Sequence, residues 1–404
     1  MPPSKINLDN NAATEILEAV QSQEPVRGLT HNFYRYPARF SPLFARATIK
    51  AFTKPGDLIY DPFMGGGTSL IEGHTLGRRS VGTDINSLAV FISKVKTTVL
   101  SESDLSEIKF WAHNLIDKLT LSSPPKRAIE WAKHGYQHNI SNKSTWPIRK
   151  TLELALAQIA LVPVERQKSF ARCVLLRTAQ WALDCRIQIP SAKLFRQKLL
   201  EYFEEMLDGA RDYATKDREV KRRFGRRCLS SPLCLNRSVV GIENNKKLGK
   251  LPAPSLIITS PPYPGVHALY HRWQIKGRKE TPAPFWIANS FDGNGASFYT
   301  MGDRKQKNLI KYFQGIQSAF ASLARVIDKK ALVVQMVAFS EPSWQLGKYL
   351  ETLGEAGFSE LKFFSFSNNA DGRLWRNVPN RKWYAGFKGP IASSKEVVLF
   401  HKLK

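Results

Sequence analysis

The octapeptide Asp61-Pro-Phe-Met-Gly-Gly-Gly-Thr68 constrains the fold of this 404-residue chain more than any other feature. It follows a short apolar run, Leu58-Ile-Tyr60, and precedes helical spacing from Thr68 to Leu76, which Gly77 ends. A second short run, Ser80 to Thr83, leads to Asp84. Strand, glycine loop, helix and strand in that order predict a βαβ unit. Upstream, Pro42 to Phe52 reads as a helix with Pro42 in its first turn, where a missing N–H costs nothing. Residues 1 to about 30 are polar and commit to no element.

The texture changes further along. Asp104 to Leu119, Pro163 to Cys185 and Lys193 to Phe224 carry long helical patterns, with Pro163 suited to a first helical position. Alternation of strands and helices resumes at Ser255 to Thr259. It continues with a helix over Lys305 to Ile327, a strand over Ala331 to Phe339, and runs at Leu361 to Phe366 and Val397 to Leu399. The chain is therefore expected to be an α/β domain split by a helical insertion: residues 1–100, the insertion 101–235, and residues 236–404. No internal repeat interrupts this order.

Sixty Lys and Arg face 34 Asp and Glu, a net charge of +26 and a pI near 9.9. So large a surplus points to a polyanionic partner. At 43% hydrophobic and 11% aromatic residues, a disordered basic tail is excluded. The amino terminus lacks a signal-peptide core, and no apolar run reaches about 18 residues, so a soluble intracellular protein is expected. Cys173, Cys185, Cys228 and Cys234 show no Cys-x-x-Cys spacing, which predicts reduced thiols and no metal site.

A glycine loop between a strand and its helix lets the backbone approach a ligand, and the acid ending the next strand, Asp84, suits ribose hydroxyls. A dinucleotide fingerprint needs a third glycine at position 70, which is Leu70; a phosphate loop needs a lysine after Gly67, which is absent. S-adenosylmethionine requires neither. Taken alone, the loop also fits a plain tight turn.

The second motif, Thr259-Ser-Pro-Pro-Tyr263, closes the apolar run Leu256 to Ile258. In an open α/β sheet both motifs would face the crevice outside the carboxyl ends of the strands. Two prolines fix the torsions and leave the Pro261 carbonyl without an internal partner. The amino nitrogen of cytosine or adenine is a poor nucleophile. Two acceptors, Ser260 Oγ and Pro261 C=O, would orient it, and Tyr263 would stack on the ring. A duplex base must be flipped out to reach such a corner.

These motifs together resemble the amino-methyltransferases of DNA, which make N4-methylcytosine or N6-methyladenine. The resemblance rests on Asp61 to Thr68, Asp84-Ile-Asn86 and Thr259 to Tyr263, with Tyr36-Pro-Ala-Arg-Phe-Ser-Pro42 similar to the segment preceding the glycine motif there. It covers residues 31–100 and 255–404. It implies a class I S-adenosylmethionine-dependent methyltransferase fold, Rossmann-like, with a mostly parallel seven-stranded sheet. It implies cofactor contacts from Tyr36, Asp61, Phe63, Gly65, Gly67, Thr68, Asp84 and Ile85, and a base pocket from Ser260, Pro261, Pro262 and Tyr263. Serine in the tetrapeptide marks the cytosine-N4 enzymes of the family. A cytoplasmic, nucleoid-associated prokaryotic enzyme is implied, in a restriction-modification system with a nuclease acting on the same site. Little chain remains after the last strand for a separate recognition domain, so the insertion is expected to read the target.

Arg211 to Arg227 is the densest basic segment; it fits either a phosphate-contacting edge or a solvated helix face. The expected contacts to double-stranded DNA are Lys221, Arg222, Arg223, Arg226 and Arg227, with Arg272, Lys276, Arg278 and Lys279 beside the catalytic loop. His267 and His271 are read as structural, because the methylated ammonium loses its proton without a tuned base. Thr281 to Gly302, with Trp286, Asn294 and Tyr299, fits either a pocket wall or a packed loop, and Arg373, Arg376, Arg381 and Lys382 stay undecided. The expected reaction is methylation of cytosine N4 in a specific DNA sequence. Its rivals are an adenine-N6 enzyme, an RNA methyltransferase, and a non-catalytic DNA-binding subunit.

Overall fold

The computed structural model describes residues 9–36, 40–124, 129–225, 231–265, 272–277, 279–292, 296–303, 305–363, 367, 369–377 and 395–404. The polar start, uncommitted in sequence, forms helix α1 (Asn10–Gln21), whose buried stripe of Ala13, Ile16, Ala19 and Val20 packs on α2 (Pro42–Phe52). Pro42 stands at the first position of α2, and the Ser41 side chain caps it by accepting from the Leu43 N–H. Strand β1 (Leu58–Asp61), helix α3 (Thr68–Thr75) and strand β2 (Arg79–Asp84) form the expected βαβ unit, its strands parallel. Helix α4 (Ser87–Lys96) follows, capped by Asn86.

The insertion contains α5 (Glu102–Lys118), α6 (Ile129–Lys133), α7 (Trp146–Ala160), α8 (Glu165–Leu183) and α9 (Ala192–Phe224). Pro163 is not in the first turn of α8; it precedes the N-cap residue Val164. The buried faces of α5, α7, α8 and α9 share one core with Leu88 and Ile92 of α4. Strand β3 (Leu233–Asn236) straddles the expected boundary at 235/236, and it pairs in parallel with β2.

Strand β4 (Leu256–Thr259) lies parallel to β1, and a small hairpin follows, β5 (Trp273–Ile275) and β6 (Lys279–Thr281). Next come α10 (Ala283–Ala288), α11 (Ala296–Tyr299) and α12 (Ile310–Ala324). Helix α12 is shorter than the expected 305–327 because Asn308 and Leu309 take positive φ, which no continuing helix admits. Strand β7 (Leu332–Ala338), helix α13 (Pro342–Glu355), and strands β8 (Phe358–Leu361), β9 (Leu374–Asn377) and β10 (Lys395–Leu403) complete the chain. The strand expected over 361–366 sits earlier, at β8, directly after the left-handed Gly357; residues 364–366 lie outside the described residues.

The sheet order is β3-β2-β1-β4-β7-β10-β8, with β9 pairing β10 as an eighth strand where seven were expected. The five strands from β3 to β7 are parallel, and β10 runs antiparallel to β7, β8 and β9. One face of the sheet, with Ile59, Ile258 and Val334, is covered by α1 and α2; the other, with Tyr60, Ile257 and Val333, by α12 and α13. A continuous apolar run in a strand is what burial of both faces requires. No helix among the described residues is long and apolar enough to cross a membrane.

Candidate active site

Four parallel strands end at one cavity. Phe63 and Gly65 follow β1, Asp84 ends β2, Arg237 to Val240 follow β3, and Ser260 and Pro262 follow β4; all line a cavity of about 400 Å³. Tyr36, Ile85 and Asn86 line it as well, and Phe298, Tyr299, Met301, Gly302 and Lys311 close the far side. Carboxyl ends of parallel strands are where an α/β sheet binds its ligand.

The glycine loop is held from three sides. Gly67 has φ +74°, and a Cβ there would lie 2.7 Å from Ser93 Oγ. Ser93 donates to the Gly65 carbonyl at 2.9 Å, and the buried Lys96 ammonium donates to the Gly66 carbonyl at 3.1 Å, both from α4. Over the loop lies the buried Tyr36 ring, so near that a Cβ on Gly65 would meet it at 3.1 Å; Tyr36 Oη accepts from Asn86 Nδ2. Thr68 is buried in the first turn of α3.

Two carboxylates organise the loop. Asp84 accepts the Gly65 N–H at 3.0 Å on one oxygen and the Asn86 N–H at 2.8 Å on the other. Burial pushes its carboxyl up to about 6, while those N–H bonds act the other way. Each oxygen retains a lone pair, and Asp84 lines the cavity, so it can still accept ribose hydroxyls. Asp61 is buried behind the loop, accepting from the Phe63 N–H, the Ser69 hydroxyl and, at 2.7 Å, Thr259 Oγ1. Burial likewise raises its carboxyl to about 6.

Of the Ser-Pro-Pro-Tyr segment, Ser260 and Pro262 face the cavity. The Pro262 carbonyl accepts from Tyr312 Oη at 2.7 Å, whereas no donor among the described residues reaches the Pro261 carbonyl. Tyr263, expected to stack on the base, is not part of the cavity lining; it is half-buried behind Ser260 against the α12–α13 core, and its hydroxyl donates to Glu396 Oε1 at 2.8 Å.

The basic residues are more dispersed than their spacing suggested. Lys221 is tied to Asp217 at 2.7 Å, and Asp217 also holds the buried His74 of α3. Arg222 and Arg223 are exposed on the last turn of α9. There Phe224 packs on Gly77, at the amino-terminal end of β2 and so across the sheet from the cavity. Arg272 is engaged by Asp292 and Glu280. Lys276 and Lys279 are exposed on the β5–β6 hairpin, which is anchored by the Trp273 indole N–H donating to Tyr34 Oη at 2.9 Å. Arg226, Arg227, Arg278, His267, His271, Asn294, Arg381, Lys382 and Cys228 lie outside the described residues. Arg373 is paired with Glu360 and Asp371, and Arg376 with Glu396. Trp286 belongs to the core, while Tyr299 is part of the cavity wall, so the 281–302 segment is both packed chain and wall. Burial pushes Cys173 up to about 12 and Cys234 to about 11.

Spacing along the sequence did not single out Ser93, Lys96, Arg237, Met301 or Lys311. Only Ser93 and Lys96, three apart on the helix after the acid strand, left a trace, as polar residues on an otherwise apolar face.

The strand order, with a single antiparallel strand, β10, inserted beside β7, and the cavity at the parallel strand ends define a class I methyltransferase fold. Residues 7–94 match the model of the DNA methylase family, N6_N4_Mtase. The chain is 43% identical over 105 residues to the Type II methyltransferase M.MvaI of Kocuria varians, covering 25% of this chain and 22% of that protein. It is 30% identical over 111 residues to the Type II methyltransferase M.MjaII of Methanocaldococcus jannaschii, covering 28% and 20%. The chain thus spans about a fifth of the length of these curated relatives. The rRNA methyltransferase aviRa from Streptomyces viridochromogenes aligns over 98% of this chain and 94% of its own, at 10% identity and a TM-score of 0.35. The family match thus falls on the segment that carries the glycine loop.

Proposed function

We propose that this chain is a site-specific Type II DNA methyltransferase that methylates the N4 amino group of cytosine. The observation that carries the reading is the single cavity lined both by the glycine loop with Asp84 and by Ser260 and Pro262. S-adenosylmethionine, when bound, supplies an electrophilic methyl group.

Asp84 would bind the ribose hydroxyls, and the side-chain-free Gly65, under Tyr36, would admit the methionine portion. Phe63 and Ile85 would flank the adenine. Ser260 Oγ and the Pro261 carbonyl, the latter without a donor among the described residues, would accept the two amino N–H bonds and aim the nitrogen lone pair at the methyl group. Holding the nucleophile in an attack geometry is a large part of what such a site can contribute. Flipping the base would cost a few kcal/mol, regained by stacking in the pocket. Lys276 and Lys279 would contact phosphates on the cavity side of the sheet, and the helical insertion would read the target for a system with a nuclease partner.

Incubation with unmethylated duplex DNA and methyl-labelled S-adenosylmethionine, followed by digestion to nucleosides and mass analysis, tests the reading. Labelled N4-methylcytosine is expected. Labelled N6-methyladenine would move the target base, and label confined to RNA would move the substrate.

A further inference from the structure

Serine is an ambiguous choice for gripping an amino group, because its hydroxyl both donates and accepts. The surroundings of Ser260 remove that ambiguity. Glu396 on β10 is buried and lies 2.8 Å from Arg376 Nε of β9, both side chains at most one-tenth exposed. An ion-paired carboxylate accepts hydrogen bonds and donates none. Tyr263 must therefore give its one hydroxyl proton to Glu396 Oε1, across 2.8 Å. Toward Ser260, 3.1 Å away, Tyr263 Oη can then only accept. Ser260 must donate its own proton to Tyr263, and only lone pairs of Oγ remain for the cavity.

We propose that the Glu396–Arg376 ion pair acts through Tyr263 as a polarity clamp, making Ser260 an obligate hydrogen-bond acceptor toward an exocyclic amino group. Glu396 and Arg376 are positioning residues here and touch no substrate. The clamp explains how a hydroxyl performs a task that otherwise calls for a carbonyl or a carboxylate. It rests on the methyl-transfer reading, and it extends the site to two residues that no motif contains.

The test measures single-turnover methyl transfer to duplex DNA with saturating S-adenosylmethionine, beside separate titrations of cofactor and DNA. Tyr263→Phe keeps the ring and leaves the ion pair intact but removes the relay; its transfer rate is expected to fall about tenfold, as for one misdirected hydrogen bond, with both affinities within twofold of the parent. Glu396→Gln, whose amide can donate to Tyr263 and reverse the chain, is expected to lose a similar factor. In the double variant the losses are expected not to multiply, since Glu396 works only through the Tyr263 hydroxyl. An unchanged rate in Tyr263→Phe, or losses that multiply in the double variant, overturns the clamp alone. A parent protein that labels no DNA overturns the methyl-transfer reading, and the clamp falls with it.

Discussion

Asp61 accepts the hydroxyl of Thr259 at 2.7 Å, joining the residue that ends β1 to the residue that ends β4, 198 positions later. This bond ties the floor of the glycine loop to the strand that presents Ser260. Thr259→Val removes a donor from a buried carboxylate, a loss of about 1–3 kcal/mol in unfolding free energy. The sign of its pH dependence follows from Asp61. A carboxyl raised from 3.8 to about 6 by folding contributes stability below pH 3.8, and that contribution is lost as pH rises through 6. Without Thr259 the charged form is held less well, so the deficit measured by urea unfolding should be larger at pH 8 than at pH 5.

Asp84 sets a second pH dependence. Its carboxyl, raised to about 6, takes up a proton as pH falls through that value and loses acceptor capacity for ribose hydroxyls. Calorimetric titration with S-adenosylmethionine should show affinity falling from pH 8 to pH 5, and Asp84→Asn should flatten the profile. Asp84→Ala should cost about 1.5–3 kcal/mol of cofactor binding. Equal titrations of variant and parent would remove Asp84 from the cofactor site.

Gly67→Ala combines an unfavourable φ of +74° with a Cβ 2.7 Å from Ser93 Oγ. A loss of about 1–3 kcal/mol is expected from denaturant unfolding. Gly249 meets nothing within 4 Å and has no positive φ, so Gly249→Ala should leave stability within about 0.5 kcal/mol.

Lys276 and Lys279 are exposed on the hairpin, whereas Arg222 and Arg223 sit across the sheet from the cavity. Replacing both lysines with alanine should weaken DNA binding and lower the slope of log affinity against log salt by about one for each phosphate no longer neutralised. The same change at Arg222 and Arg223 should leave the slope alone. The reverse pattern would put the DNA on the other end of the sheet.

Much of this arrangement was legible in the residues, for reasons that are local. Pro42 at a helix start, Gly77 after a helix and the apolar runs around Asp61 and Asp84 act within a few positions, and each element formed where they stand. The short β3 was hidden because Leu233 to Asn236 looks like loop until β2 lies beside it. The end of α12 nearest the cavity was misjudged because Asn308 and Leu309 take left-handed torsions that their side chains do not announce. In the site, the loop acids could be read from their motif. Glu396 could not, because its role comes from β10 passing Tyr263, and 133 positions separate the two.

The Asp61–Thr259 hydrogen bond also says something about the order in which the chain finds its shape. Closing β1 on β4 through an unstructured loop would restrict nearly 200 residues at once, an entropic cost that grows with the logarithm of loop length. Within the insertion, α8 packs on both of its consecutive helices, α7 and α9, and such local pairings form faster than distant ones. An insertion that collapses early shortens the effective tether, so weakening its core at Phe170 or Phe203 should slow the refolding of the sheet without altering a single strand residue.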